Sequence, residues 1–254
     1  MCDAYPYTAG STQLIHVLPP EFQAGGTETL TKRLRDRAAR EEMRARMETG
    51  SDFENITLLV GFENVVAIGL RTDEYRRFEG KSIAEIALAL GKDPYDALFD
   101  LLAAEQCNTG MIDYISDEED LKAILRAPFS GVISDATYPG AGQVHPRVYG
   151  AFARLIETYV VREKVLTLEQ AVHKVTLQAA ERFSLAGKGK IEVGADADLL
   201  LFAPEKIRER GTYLTPKACA SGFDEVFVLG ERVIENGEYR GGSSGEMLGL
   251  RMEY

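Results

Sequence analysis

The sequence predicts an α/β protein in which strand-loop-helix units are followed by a β-rich tail. Three observations predict this fold class. A short buried strand ends at Asp135 and leads into a long loop and an amphipathic helix. Three capped helices precede that strand. From Gly187 onward the pattern changes to short strands joined by tight turns.

The first seventy residues mix strand and helix signals. Residues 3–12 alternate aromatic and small side chains, which is typical of a strand end that runs into a loop. Because a folded domain seldom begins inside a strand, residue 1 is not expected to be the natural start of the fold. Thr27 is expected to cap a polar helix. Residues 56–60 and 65–70 are predicted to be two strands separated by Gly61 and Asn64.

The next sixty residues carry repeated helix-start signals. Each signal places a side-chain oxygen where it can accept the free backbone N–H groups of a first helical turn. Each is followed by apolar residues at helical spacing. The three predicted caps are Ser82 with Glu85, Asp93 before Pro94, and Ser116 with Glu119.

The strand that ends at Asp135 gives the first candidate for a functional residue. In α/β barrels and open α/β sheets, chemistry is grouped at the carboxyl ends of strands, on loops longer than the connection requires. Asp135 is therefore a candidate acid/base or metal-facing group, although Asp also commonly ends a strand and starts a turn. Pro146 is predicted to open the following helix, and Thr167 with Gln170 to cap the one after it.

The tail is predicted to be a separate β-rich unit. Strands are expected at residues 198–202 and 225–229, with tight turns at Gly230-Glu231 and Asn236-Gly237. The predicted domains are therefore residues 1–186 and 187–254. A complete (β/α)8 barrel needs eight strand-helix units, and two or three are visible here. The first domain is thus expected to be the C-terminal part of a barrel with a helical insertion.

Composition narrows the classes of function. The net charge of −11 argues against a nucleic-acid or anionic-membrane partner. No apolar stretch is long enough to span a membrane and no signal peptide is visible, so a cytoplasmic location is expected. The three cysteines show no C-x-x-C spacing, and the three histidines form no metal-binding pair. His145 is interpreted as a loop residue, with a supporting role at the site as the alternative, and His173 as exposed on a helix flank.

Four separated stretches resemble one known family. They are DAYPYTAGST (residues 3–12), SDATYPG (134–140), HPRVYGAFARL (145–155) and GKGKIEVGADADLLLF (187–202). Their order and spacing resemble the N-acyl-D-amino-acid deacylases, or D-aminoacylases, of the amidohydrolase superfamily. The resemblance implies the C-terminal portion of a metal-dependent (β/α)8 barrel hydrolase, in which a zinc-activated water hydrolyses the amide bond of an N-acyl-D-amino acid.

The resemblance also implies roles for four residues. Asp135 matches the family's catalytic acid/base, and Arg147 matches a residue that holds the substrate α-carboxylate. Tyr5 and Ser11 match substrate-contacting positions. Without the resemblance, Tyr5 reads as a strand aromatic, Ser11 as a turn residue and Arg147 as a surface cation at a helix start.

The metal ligands implied by the family are not in this sequence. They lie on strands before DAYPY, and Cys2 does not match the family's metal-binding cysteine. Zinc is therefore expected as the cofactor of a complete enzyme, with no metal ligand in this chain. The isolated chain is expected to be weakly active or inactive unless an upstream half supplies them. The alternatives are a truncated or pseudoenzyme module with an interaction role, such as a homo-oligomer, and an amidohydrolase acting on another amide or a cyclic amide.

Overall fold

A computed structural model describes residues 2–137 and 142–248. Nine strands occur in these residues: β1 (Cys2–Ala4), β2 (Gly10–Gln13), β3 (Val65–Ile68), β4 (Gly110–Asp113), β5 (Ser130–Val132), β6 (Leu199–Phe202), β7 (Phe223–Val228), β8 (Glu231–Glu235) and β9 (Glu238–Tyr239). Ten α-helices occur in them: α1 (Pro20–Gln23), α2 (Gly26–Arg33), α3 (Arg37–Thr49), α4 (Ile56–Val60), α5 (Ile83–Leu90), α6 (Pro94–Ala104), α7 (Glu118–Arg126), α8 (Arg147–Arg154), α9 (Leu168–Val175) and α10 (Leu177–Arg182). Helix α8 continues as a π-helix over Leu155–Arg162.

The strands form three small sheets within the described residues. β1 and β5 pair in parallel, with Ala4 beside Val132. β2, β4 and β3 form an antiparallel sheet, and β6 to β9 form a second antiparallel sheet in chain order. Parallel and antiparallel strands with many helices confirm the predicted α/β class, and β structure follows residue 187 as predicted. The division into two domains remains a prediction.

The larger hydrophobic core belongs to the helical segment between β2 and β4. Helix α6 contributes Leu98, Phe99 and Leu102, which pack with Met43 and Met47 of α3. The apolar residues of α3 recur four residues apart, so its charged positions face solvent, where they form i,i+4 ion pairs such as Arg37 with Glu41. The charged side of α3 is therefore a solvated helix face. A second core joins β5, α7, α8 and the π-helix to Ile207.

Of the five predicted side-chain caps, three are confirmed, and those at Ser116 and Thr27 are wrong. Ser82 with Glu85 and Thr167 with Gln170 form complete capping boxes, and Asp93 caps α6. The predicted cap Ser116 is wrong: the Asp117 side chain accepts the N–H groups of Glu119 and Asp120 instead. An aspartate at that position places a charged acceptor at the positive end of the helix.

The remaining corrections are local. Residues 56–60 form helix α4, capped by Asn55, and not a strand, because a five-residue apolar run does not distinguish the two. Gly25 and not Thr27 precedes α2, and Pro146 lies just before α8. The hairpin turn between β7 and β8 is Leu229-Gly230, whose φ angles are both positive. Asn236-Gly237 forms the predicted second turn, and His173 is exposed as predicted.

Candidate active site

The parallel pairing of β1 with β5 brings two predicted site residues to the same sheet edge. Tyr5 directly follows β1, and Asp135 lies three residues beyond the end of β5. The backbone N–H of Ile133 donates to the carbonyl of Ala4 at 2.9 Å, so the pairing extends to this edge. Asp135 has a φ of 46°, a left-handed conformation that Asp tolerates better than most side chains. The strand end therefore presents a half-exposed carboxylate beside Tyr5.

Arg147 connects all four predicted site residues. Its Nη2 lies 2.8 Å from Oδ2 of Asp135 and donates to the carbonyl oxygen of Ser11 at 3.1 Å. Its guanidinium carbon lies 4.6 Å from the centre of the Tyr5 ring, a cation–π distance. Arg147 is 2% exposed, so it is a buried group and not a surface cation. The structure thus brings Tyr5, Ser11, Asp135 and Arg147 together, and Ser11 meets Arg147 through its backbone.

Two polar atoms of Arg147 remain without partners in the described structure. Nε and Nη1 are buried, and neither makes a hydrogen bond there. A buried unpaired donor is costly, so such groups commonly mark a place where a ligand or water binds. Nη2, the nitrogen common to both bidentate edges of the guanidinium, already contacts Asp135 and Ser11, so Nε and Nη1 can each donate singly to a carboxylate oxygen.

His145 holds the backbone of Arg147 in place. Its Nδ1 accepts the Arg147 N–H at 3.0 Å, and its Nε2 lies 3.0 Å from the carbonyl oxygen of Ala9. These contacts fix the tautomer of His145, because Nδ1 must be unprotonated to accept a hydrogen bond and Nε2 must carry the proton to donate one. Burial, with the nearby charge of Arg147, lowers the pKa of His145 to about 3, so the ring is neutral at pH 7. His145 is therefore a supporting residue and not only a loop residue.

Asp113 is a site neighbour that the sequence interpretation missed. It ends β4, where its carboxylate faces Gly10: a β-carbon at position 10 would lie 2.7 Å from Oδ1. Asp113 is 6% exposed, and its Oδ1 is buried and unpartnered in the described residues. Burial raises the pKa of this carboxyl, while the charge of Arg147 opposes the shift. An aspartate after the apolar pair Met111 and Ile112 is the same signal that identified Asp135.

A half-buried arginine, Arg154, lies on the same helix as Arg147. Its Nε donates to the carbonyl of Pro6 at 2.6 Å, and its Nη1 donates to Glu209 at 3.1 Å. The Tyr7 hydroxyl donates to the other oxygen of Glu209 at 2.6 Å, and the Tyr7 ring lies 4.8 Å below the guanidinium. Burial and the hydrogen bond to Glu209 raise the pKa of Tyr7. This network joins the tail segment to the opening motif, and sequence spacing gave no sign of it.

The described residues do not provide a metal site of their own. Residues 2–137 and 142–248 contain no group of three or more His, Cys, Asp or Glu side chains arranged to hold a metal ion. Asp135 forms an ion pair with Arg147, and the charge of Arg147 also acts on Asp113, so this arginine competes with a cation for both carboxylates. These residues therefore do not fit a zinc ion without further ligands. None of the helices in the same residues is long and apolar enough to cross a membrane.

Comparisons with known proteins agree with the resemblance. The chain is 36% identical over 151 residues to the N-acyl-D-glutamate deacylase of Alcaligenes xylosoxydans xylosoxydans, covering 59% of this chain and 30% of the relative. It is 32% identical over 174 residues to the D-aminoacylase of the same organism, covering 68% and 35%. The chain therefore spans about a third of the length of these relatives.

A solved structure shows the same similarity. It is the N-acyl-D-glutamate deacylase from Bordetella bronchiseptica, complexed with zinc and a phosphonate inhibitor that mimics the tetrahedral intermediate. Identity to it is 28% and the TM-score is 0.66, over 91% of this chain and 39% of that one. The model of the amidohydrolase family matches residues 19–217, most of the chain. The predicted resemblance is confirmed: the chain belongs to the amidohydrolase family, and its relatives are N-acyl-D-amino-acid deacylases.

Proposed function

We propose that this chain forms the substrate-binding and acid/base part of a deacylase that hydrolyses N-acyl-D-amino acids. The observation that carries the proposal is Arg147, a buried guanidinium that pairs with Asp135 through Nη2 and has two further nitrogens, Nε and Nη1, without partners. The relatives named above act on N-acyl derivatives of D-amino acids, which carry a free α-carboxylate. A carboxylate is the group that the free donors of Arg147 suit.

The proposed roles follow from the positions of the side chains. Arg147 binds the α-carboxylate, and the Tyr5 ring covers one face of its guanidinium. Asp135 is half exposed next to Arg147, so a bound amide is within its reach and protons can exchange with solvent. Hydrolysis needs a proton to be taken from water and delivered to the leaving amine, and Asp135 is the proposed carrier. His145 and Ser11 hold Arg147 through the contacts described above.

The proposal includes zinc as the cofactor of the complete enzyme, because a related structure holds it. Zinc would supply a Lewis acid and an activated water. The described residues give it no ligand set, so we propose that its ligands come from a polypeptide segment outside this sequence. In this arrangement residues 1–186 contribute β1 and β5 as neighbouring strands of a (β/α)8 barrel, with the helical segment as an insertion. Residues 187–254 form the β-rich closing domain.

The free donors of Arg147 also discriminate between substrates. A cyclic amide without a carboxylate would leave Nε and Nη1 unpaired, which is unfavourable for a buried guanidinium. The site geometry therefore favours a substrate with a free carboxylate over a neutral ring.

A chimera tests the proposed function. The chain would replace the matching portion of the Alcaligenes N-acyl-D-glutamate deacylase, and release of free amino acid from N-acetyl-D- and N-acetyl-L-amino acids would be measured. We expect activity on D-substrates only. Asp135→Asn should lower kcat by about 10²- to 10⁴-fold, the usual contribution of a general acid or base, with the zinc content unchanged.

The control for this experiment is Asp73→Asn, since Asp73 is an exposed aspartate in the helical segment. It should retain the parent activity. Loss of zinc in Asp135→Asn would make Asp135 a metal ligand instead of the acid/base. A chimera that contains zinc and hydrolyses no N-acyl-D-amino acid would contradict the proposed function itself.

A further inference from the structure

Glu79 joins two distant parts of the chain through backbone hydrogen bonds. Its Oε1 accepts the N–H groups of Gly69 at 2.8 Å and Gln143 at 2.6 Å. Its Oε2 accepts the N–H of Leu70 at 2.8 Å. One carboxylate thus satisfies three N–H groups, two at the end of β3 and one on the loop before α8. Hydrogen bonds to an ionised acceptor are roughly twice as strong as neutral ones.

The backbones meet closely beside this carboxylate. A β-carbon at Gly142 would lie 2.6 Å from the Gly69 Cα and 2.6 Å from Oε1 of Glu79. Gly142 and Gly69 have φ angles of 74° and 75°, in the region that favours glycine. Both the contact distance and the backbone conformation therefore require glycine at position 142.

The segment held by Glu79 leads directly into the site. Gln143 is two residues before His145 and four before Arg147, and His145 contacts Ala9 at the other end of this segment. The backbone N–H of Arg147 in turn donates a hydrogen bond to Nδ1 of His145. Residues 143–147 are therefore fixed at both ends, by Glu79 and by the start of α8.

We propose that Glu79 is a positioning residue for Arg147 and Asp135, through which the helical segment sets the geometry of the site. Glu79 does not touch the proposed substrate position. It acts by holding Gln143, and through residues 143–147 it fixes the depth at which the Arg147 guanidinium meets Asp135.

Glu105 is a matched control for this role. It accepts the N–H groups of Arg71 at 2.9 Å and Thr72 at 3.0 Å, so it braces the two residues that follow Gly69 and Leu70. It is buried, and its hydrogen bonds are of the same kind. All the hydrogen bonds that the structure gives Glu105 lie outside residues 142–147.

Amide hydrogen exchange of the chain as it is tests the positioning. In Glu79→Ala we expect the amides of Gln143, which loses its acceptor, and of Arg147, which is held through His145, to exchange at least about tenfold faster. In Glu105→Ala we expect faster exchange at residues 71–72 and no change at 143–147. If Glu79→Ala does not fold, Glu79→Gln keeps the size and one oxygen, and should give a smaller increase at the same amides.

Two results would overturn the proposal. Unchanged exchange at residues 143–147 in the folded Glu79 variants would show that Glu79 does not hold this segment. An equal increase in Glu105→Ala would show a general loosening of the loop and no specific role for Glu79.

The catalytic consequence rests on the proposed function and has its own measurement. In the chimeric deacylase, Glu79→Ala should lower kcat by about tenfold or more, since small displacements of binding groups are costly, while Glu105→Ala stays within about twofold. Faster exchange with unchanged kcat would overturn the catalytic consequence alone. Faster exchange in a chain whose chimera is inactive from the outset would contradict the proposed function and leave the positioning intact.

Discussion

Arg147, which is buried, and Arg154, which is half-buried, lie on one helix, each over a tyrosine ring, and they differ in which nitrogen donors lack partners. Arg154 contacts Glu209 and the carbonyl of Pro6, and its donors all have partners or solvent. Arg147 keeps two buried donors unpartnered in the described structure. The same residue type therefore serves two purposes here. Arg154, whose donors are paired, joins the tail to the start of the chain, and Arg147, whose donors are not all paired, is the arginine that we propose binds a ligand.

The largest effect on stability is expected from the loss of Arg154, whose donors all have partners or solvent. Arg154→Met should lower the free energy of unfolding by about 3 kcal/mol or more, because it leaves the Glu209 carboxylate buried without its cation. Chemical denaturation would measure the change. The double variant with Glu209→Gln should recover part of the loss, since it removes the unpaired charge. An effect below about 1 kcal/mol would mean that Arg154 does not hold the tail segment.

His145, whose ring is influenced by the charges of both arginines, should make stability depend on pH. Its pKa is about 3 in the folded chain, lowered by burial and the charges of Arg147 and Arg154, against about 6.5 unfolded. The unfolded chain therefore binds more protons between these values, so stability is present above pH 6.5 and is lost as pH falls toward 3. The charged groups facing His145 are these arginines, and three tyrosines, Tyr5, Tyr7 and Tyr213, surround the ring.

Between pH 7 and pH 5 the wild-type chain should lose about 2 kcal/mol more stability than His145→Gln, at about 1.4 kcal/mol per pH unit. Urea denaturation at each pH measures this difference. His173→Gln is the control, because His173 is exposed, and it should follow the wild type. Parallel pH curves for wild type and His145→Gln would show that the ring is not buried in its neutral form.

The smallest effect on stability is expected from the loss of Arg147, which has two nitrogens without partners. Arg147→Met should change the free energy of unfolding by less than about 1 kcal/mol, because a buried charge with incomplete partners gains little over an apolar side chain. Its half-exposed partner Asp135 can return to water. In the chimera, Arg147→Met should nevertheless raise KM for N-acetyl-D-amino acids about tenfold or more, since charge-assisted bonds to the carboxylate are lost. A large loss of stability with unchanged KM would reverse the comparison between the two arginines.

Local signals in the sequence predict much of the fold and single out Asp135, whereas Tyr5, Ser11 and Arg147 are candidates only through the family resemblance. Helix caps such as Ser82 with Glu85 act within one turn, so sequence spacing is sufficient to find them. Tyr5 and Asp135 follow strands that pair in parallel, and strand ends on one edge meet. The strand predicted at residues 56–60 is wrong, because a short apolar run of this length fits a helix and a strand equally well.

What the sequence did not predict depends on contacts between distant residues. Arg154 meets Glu209 across 55 positions and Glu79 meets Gln143 across 64. No periodicity or cap marks such a pair, because the contact exists only once the chain has folded. Asp113 is different: its strand-end position was visible, and it was missed because the same signal had been applied only to Asp135.

Arg147 and Arg154 lie seven residues apart, at the two ends of α8. Seven residues are about two helical turns and about 10.5 Å along the axis, so Arg147 and Arg154 lie on nearly the same face. Arg154 contacts Glu209 at one end of this helix and Arg147 contacts Asp135 at the other. One two-turn helix therefore links a carboxylate of the tail to the carboxylate at the end of β5, although no direct contact joins the two.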